Sequence, residues 1–217
     1  RPEHAAVRAR TSLITYGRDD AVTADYCARC DARIVWGGDA TVAAVRAMPM
    51  PPHAVELCFP DRWSLAVFSQ RAFSALTPEE RGALAHRFYN DTYQMDQNAC
   101  SSPQLVLWLE DGGDPACRAR WWEAVAAEAA ERYPFGPFQA ARKLERLCLC
   151  AMTMEQPSVA AVERYQGNLL YVARLAGLSG NLPSLAGGFG LFFEAALPSL
   201  ETLACHLAAM LWARYPE

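Results

Sequence analysis

Arg33-Ile34-Val35-Trp36-Gly37-Gly38-Asp39-Ala40-Thr41-Val42 decides how the chain is read. The β-branched pair Ile34-Val35 runs into a glycine pair, and alanines and valines at helical spacing follow. That order predicts a strand over 33–36, a turn at 37–38 and a helix over 39–48. The segment before it is written the same way, with a strand candidate over 12–16, Gly17 as the turn and a helix over 19–30. Strand and helix alternating in this manner predict an α/β fold, built from βα units on a parallel sheet with crossover helices.

A glycine turn ahead of a helix has two physical uses. Glycine lets the backbone approach a ligand closely, and the helix behind it offers unpaired N–H groups and a positive dipole end to a phosphate. Gly37, Gly38 and the Thr41 hydroxyl could hold a dinucleotide in that way. The other use is structural, since many βα turns take glycine only for its backbone freedom. Asp39 leaves the choice open, because a carboxylate there caps the helix yet repels a pyrophosphate.

Further along, the closely spaced prolines of Met48-Pro49-Met50-Pro51-Pro52 make a stiff connector. Short extended segments are expected over 53–59 and 64–68. Thr77-Pro78-Glu79-Glu80 then reads as a helix start, with Thr77 as N-cap, Pro78 in the first helical position and Glu80 completing a capping box. That helix runs to about Tyr93. Gln104-Leu105-Val106-Leu107-Trp108-Leu109 is a buried strand stopped by Asp111-Gly112-Gly113. Between helix and strand lies Asp96-Gln97-Asn98-Ala99-Cys100-Ser101-Ser102-Pro103, which puts Cys100 on a connecting loop. A cysteine displayed there, among small and amide-bearing residues, suits nucleophilic attack on a thioester or aldehyde carbonyl. A buried cysteine filling core is the competing reading.

Composition narrows the class. The chain has 217 residues, of which 52% are hydrophobic and 20% charged, enough for one large core or two smaller ones. A net charge of −4 with scattered arginines excludes a basic nucleic-acid stripe. No apolar run is long enough to cross a membrane as a helix. The eight cysteines lie in apolar helical surroundings, as in Leu147-Cys148-Leu149-Cys150, which fits intracellular thiols and a cytoplasmic protein better than a disulfide scaffold. Cys27 and Cys30 form a C-x-x-C, but the four histidines are isolated from one another, so no metal site is expected. The start at Arg1 without an initiator methionine, and the end at Glu217, suggest a piece of a longer protein.

The cysteine loop resembles a known family. Asp96-Gln97-Asn98-Ala99-Cys100-Ser101-Ser102-Pro103-Gln104 is similar to the D-Q-x-A-C-x-S-x-Q segment of the LuxC-type acyl-CoA reductases, members of the aldehyde dehydrogenase superfamily. Arg33 to Val42 is similar to that family's R-I-x-x-W-G-G-x-x-x-[VI] segment, in the expected order. The resemblance spans nearly the whole chain and is specific over residues 12–109. It implies an aldehyde-dehydrogenase-like α/β fold with a helix-rich catalytic portion. Residues 1–75 would be the C-terminal half of a dinucleotide-binding domain, and 76–217 a catalytic α/β domain.

The resemblance also implies chemistry. Cys100 would be the nucleophile toward an acyl-CoA, with Asn98 as an oxyanion donor beside backbone N–H groups. NADPH or NADH would lie across Trp36, Gly37, Gly38 and Thr41 and reduce the acyl-enzyme to an aldehyde. Glu56 falls where the superfamily's aldehyde oxidisers keep a general base in E-L-G-G-K. Here Cys58 and Phe59 replace the two glycines, and a salt-bridge role is equally open. The implied partners are an acyl-CoA or other acyl thioester, and a second copy or a partner enzyme of a fatty acid reductase complex. An oxidative aldehyde dehydrogenase and a noncatalytic binding or assembly module with a buried cysteine are the alternatives.

Beyond residue 110 the sequence predicts helices from Asp114-Pro115, over 139–152 and over 157–164, and a strand over 167–172. Gly187-Gly188-Phe189-Gly190 reads as a loop leading into another strand, and a last amphipathic helix begins at Pro198-Ser199.

Overall fold

The computed structural model describes residues 4–17, 19–60, 62–153, 158–178, 182 and 185–214. It divides into two compact units, Arg1–Asp61 and Arg62–Glu217.

The first unit holds α1 (Ala5–Arg8), α2 (Asp20–Arg29), β1 (Ala32–Trp36), α3 (Asp39–Arg46) and β2 (Val55–Phe59). Asp19 caps α2 by accepting the N–H groups of Ala21 and Val22. β1 and β2 pair in parallel, with Arg33 opposite Glu56 and Trp36 opposite Phe59. Cys27 on α2, Val35 on β1 and Val42 on α3 are buried. The strand expected over 12–16 does not form. These residues are irregular, and Leu13 is 98% exposed. Among the described residues β1 pairs with β2 alone, and the 12–16 segment joins neither strand.

The second unit carries a sheet in the order β3-β4-β7-β6-β5. Its elements are β3 (Ser64–Ser69), α4 (Gln70–Ser74), α5 (Pro78–Thr92), β4 (Pro103–Leu109), α6 (Cys117–Arg132), α7 (Pro137–Thr153), β5 (Val159–Tyr165), β6 (Leu170–Leu175), β7 (Leu191–Leu197) and α8 (Leu200–Arg214). β3, β4, β7 and β6 run parallel, and β5 is antiparallel to β6. The capping box at Thr77 and Glu80 forms as the sequence predicts. From Leu105 to Leu109 β4 is apolar because both faces of the sheet are covered there. Val106 and Trp108 join Phe88, Trp121, Trp122 and Phe192 on one side, and Leu105 and Leu107 join Tyr171 and Phe193 on the other. Among the described residues no helix is long and apolar enough to cross a membrane.

β3 pairs with β4 along its length and so lies in the sheet of the second unit. One more expectation is corrected here. The helix expected over 157–164 is instead the edge strand β5, its first residue, Pro157, lying outside the described residues. Val159 and Val162 suit a helix by spacing, but left-handed Gln166 and Gly167 turn the chain back so that β5 pairs with β6. A buried carboxylate also lies in this sheet. Glu194 on β7 is fully buried and accepts from Arg118 on α6 and from the Trp122 indole. These partners meet the cost of burying its charge.

Candidate active site

The loop that ends at Cys100 is built from its own polar side chains. After α5, residues Tyr93–Met95 form a single 3₁₀ turn, and Asp96 and Gln97 follow in the left-handed conformation, with φ of 52° and 60°. Non-glycine residues adopt this conformation only when something holds them. Asp96 is held by the Tyr133 hydroxyl, which donates to Oδ1, and by the Phe189 N–H, which donates to its carbonyl at 3.0 Å. Burial, with the Asp96 carboxylate beside it, raises the Tyr133 pKa and keeps the phenol a donor. Gln97 is buried, and its Nε2 donates to the carbonyls of Pro103 at 3.1 Å and Leu191 at 2.9 Å. Gln104 Nε2 returns to the Gln97 carbonyl at 3.0 Å, and Ser102 Oγ donates to the Asp91 carbonyl at 2.6 Å. The Asp, Gln, Ser and Gln of the motif around Cys100 are therefore the framework of the loop.

Within that frame the Ser102 N–H donates to the Ala99 carbonyl at 2.9 Å, closing a β-turn with Cys100 and Ser101 at its centre. The turn's hydrogen bond leaves the N–H groups of Cys100 and Ser101 outside it. Ser64 Oγ donates to the Cys100 carbonyl at 2.8 Å, fixing the residue from β3. Cys100 itself is exposed, as are Cys148 and Cys205, whereas Cys27, Cys117 and Cys150 are buried. Asn98 is turned into the loop. Its Nδ2 donates to the carbonyls of Asp96 at 3.0 Å and Met95 at 3.3 Å, and its Oδ1 accepts from Arg146 at 3.1 Å.

The remaining predicted site residues lie in the first unit. Gly38 is the N-cap of α3 and provides no side-chain cap, so the helix start presents its amide donors. Thr41 packs over Gly37, where an added Cβ would stand 3.0 Å from the threonine methyl. Trp36 is 70% exposed and stacks on Phe59 with ring centroids 4.4 Å apart. An uncapped helix start headed by two glycines, with a hydroxyl in its first turn, is a donor set that fits a phosphate, and Asp39 shares that turn. Glu56 is committed elsewhere. Its Oε2 accepts from Arg33, its Oε1 pairs with Arg46 at 2.9 Å, and the Arg33 hydrogen bond lowers its pKa. A carboxylate held by two guanidinium groups is a weak proton acceptor near neutral pH.

Sequence reading missed Arg146, Tyr133 and the part played by the glycine run. Gly187-Gly188-Phe189-Gly190 packs on the cysteine loop through Phe189 and the neighbouring Leu191 carbonyl. Three glycines close together were the available signal, and only the tertiary structure shows what passes over them.

The family model for acyl-CoA reductase (LuxC) matches residues 3–141. Among solved structures, an NAD-dependent aldehyde dehydrogenase from Sinorhizobium meliloti is similar, at 12% identity and a TM-score of 0.57, covering 84% of this chain and 38% of the other. Substrate-bound AldH of Staphylococcus aureus matches at 9% identity and 0.55, covering 88% and 41%. The NADP-dependent glyceraldehyde-3-phosphate dehydrogenase of Bacillus halodurans C-125, complexed with NADP, matches at 11% and 0.52, covering 88% and 40%. At these identities the likeness shows the aldehyde-dehydrogenase fold, and the chain spans about two fifths of each of these proteins. No curated protein sequence matches.

Proposed function

We propose, from the premise that this chain belongs to the acyl-CoA reductase (LuxC) family, that it carries the cysteine half of a fatty acyl-CoA reductase site. The observation that carries the reading is the exposed Cys100, held at the centre of a β-turn whose frame is made by the motif's own polar residues. In the proposed reaction the Cys100 thiolate attacks the thioester carbonyl and a new C–S bond forms. The N–H groups of Cys100 and Ser101 are the donors assigned to the oxyanion. The bond to the coenzyme A sulfur then breaks, leaving an acyl group on Cys100. A reduced nicotinamide, assigned to Trp36, Gly37, Gly38 and Thr41, supplies the hydride when bound. Collapse of the thiohemiacetal returns the electron pair to sulfur and releases aldehyde. Asn98 is assigned to shaping the loop, and Glu56 to holding β1 against β2.

The test is chemical. Cys100, Cys148 and Cys205 are all exposed, so exposure alone predicts similar alkylation rates. Activation predicts that iodoacetamide modifies Cys100 at least tenfold faster than the other two, and that acyl-CoA leaves one acyl group, on Cys100, in wild type and none in Cys100→Ala. Equal alkylation of the three, with no acyl transfer, would favour the noncatalytic reading.

A further inference from the structure

The guanidinium of Arg146, on α7, joins the two loops of the candidate site. Its Nη2 donates to Asn98 Oδ1 at 3.1 Å, and its Nη1 donates to the Gly187 carbonyl. Its central carbon lies 4.9 Å from the centroid of the Phe189 ring. Gly188 shows that this approach is built into the backbone. With φ of 135° it adopts a conformation that side chains avoid, and a Cβ there would stand 1.8 Å from Nη1 and 2.8 Å from the central carbon. The guanidinium fills the space a side chain would need.

The two loops also meet directly, through the Phe189 N–H on Asp96 and the Gln97 amide on Leu191. Arg146 adds orientation to that contact. By donating to Oδ1 it sets which way round the Asn98 carboxamide lies, so Nδ2 faces the carbonyls of Met95 and Asp96. Asn98 then braces the curl of backbone two residues before Cys100.

We propose that Arg146 is a positioning residue for Cys100, acting through Asn98 and the glycine turn 187–190. The planar fork is required, because one guanidinium serves two acceptors and a ring at once. This rests on the reading of Cys100 as the acyl-accepting nucleophile, since positioning matters to reaction only if that sulfur reacts. A misplacement of the reacting group by about 1 Å, caused by a change at a residue far from the chemistry, is enough to cost about 100-fold in rate.

The test uses the intact protein with Arg146→Ala, Arg146→Lys, Asn98→Ala, Gly188→Ala and the Arg146→Ala/Asn98→Ala pair. The expected result is a kcat for acyl transfer from acyl-CoA lowered about 10- to 100-fold in both alanine singles, with KM within about twofold. The double variant should lose no more than the worse single, because both act on one strut. Arg146→Lys should recover only part of the rate, and Gly188→Ala should reproduce the loss with the arginine still present. A second readout needs no acyl transfer. Amide exchange of Ser102, protected by its bond to Ala99, should accelerate at least tenfold in the singles and no further in the pair, while Cys148, on the same helix as Arg146, keeps its alkylation rate. Additive losses, or Ser102 exchange unchanged in Arg146→Ala, would overturn the positioning role. Wild-type protein that shows no acylation of Cys100 while the exchange results hold would overturn the reductase reading and leave the strut standing.

Discussion

The Gln97 side-chain amide donates to the carbonyl of Leu191, at 2.9 Å, from a residue that is itself buried and left-handed. This bond ties the loop before Cys100 to the first residue of β7, in the middle of the parallel sheet. Its neighbour bond to Pro103 ties the same amide to the start of β4. The cysteine turn is thereby fixed to two adjacent strands, and its position follows the sheet.

Gln97→Ala removes both bonds and leaves the Pro103 carbonyl without its side-chain donor. A buried polar group stripped of its partner costs about 1–3 kcal/mol. Urea unfolding followed by tryptophan fluorescence should show a loss of that size. A change within the error of the wild-type value would mean that the loop is held by its backbone alone.

The glycine turn gives a sharper contrast. A Cβ on Gly187 would stand 2.2 Å from the Leu191 carbonyl oxygen and 3.0 Å from Gln97 Nε2, whereas one on Gly177 meets nothing within 4 Å among the described residues. Gly187→Ala should therefore lower the unfolding midpoint and loosen the Gln97 contact, and Gly177→Ala should leave both nearly unchanged. Thermal unfolding of the two variants side by side checks this. Equal midpoints would mean that the turn can shift without disturbing β7.

In the first unit Glu56 holds Arg33 across the strand pair, with the arginine side chain only 9% exposed. Arg33 lowers the Glu56 pKa, so its contribution to stability is present above the ordinary carboxylate pKa and is lost as pH falls through the lowered folded value. Glu56→Gln leaves Arg33 without its counter-charge. The variant should unfold at lower temperature at pH 7, and the difference from wild type should shrink as the solution is acidified. A difference independent of pH would show that shape, and not charge, holds β1 to β2.

The contrast between what was legible in the sequence and what was not follows the range of each interaction. The capping box at Thr77 and Glu80, the strand after it and the loop carrying Cys100 are local patterns, and each forms where the residues put it. The five-stranded order and the antiparallel turn of β5 depend on pairing between distant segments, and 159–165 carries no periodicity that separates helix from strand. The same holds at the site. Cys100 and its polar neighbours were visible as a motif, but Arg146 reaches Asn98 across 48 positions and Tyr133 reaches Asp96 across 37. The place of Glu56 was legible as a position and not as a role, because its partners come from β1 and α3.

Lys143 offers a test of how far the interior of the second unit departs from water. Its ammonium is buried on α7, donates to the carbonyls of Asn168 and Leu169, and lies 4.5 Å from the centroid of Phe135 and 4.7 Å from that of Tyr171. Burial brings its pKa down to about 7. In the unfolded chain a lysine titrates near 10.4, so between about pH 7 and 10 the unfolded state holds a proton that the folded state has released. Folding stability must then rise with pH across that window, and the gain is lost as pH falls toward 7. Lys143→Met keeps most of the aliphatic stem and removes the titration. Chemical denaturation at pH 7.0, 8.0 and 9.0 should show wild type gaining on the variant by up to about 1.4 kcal/mol per pH unit. A constant gap would show that Lys143 binds its proton equally well folded and unfolded, with the carbonyls and rings making good the water it has left.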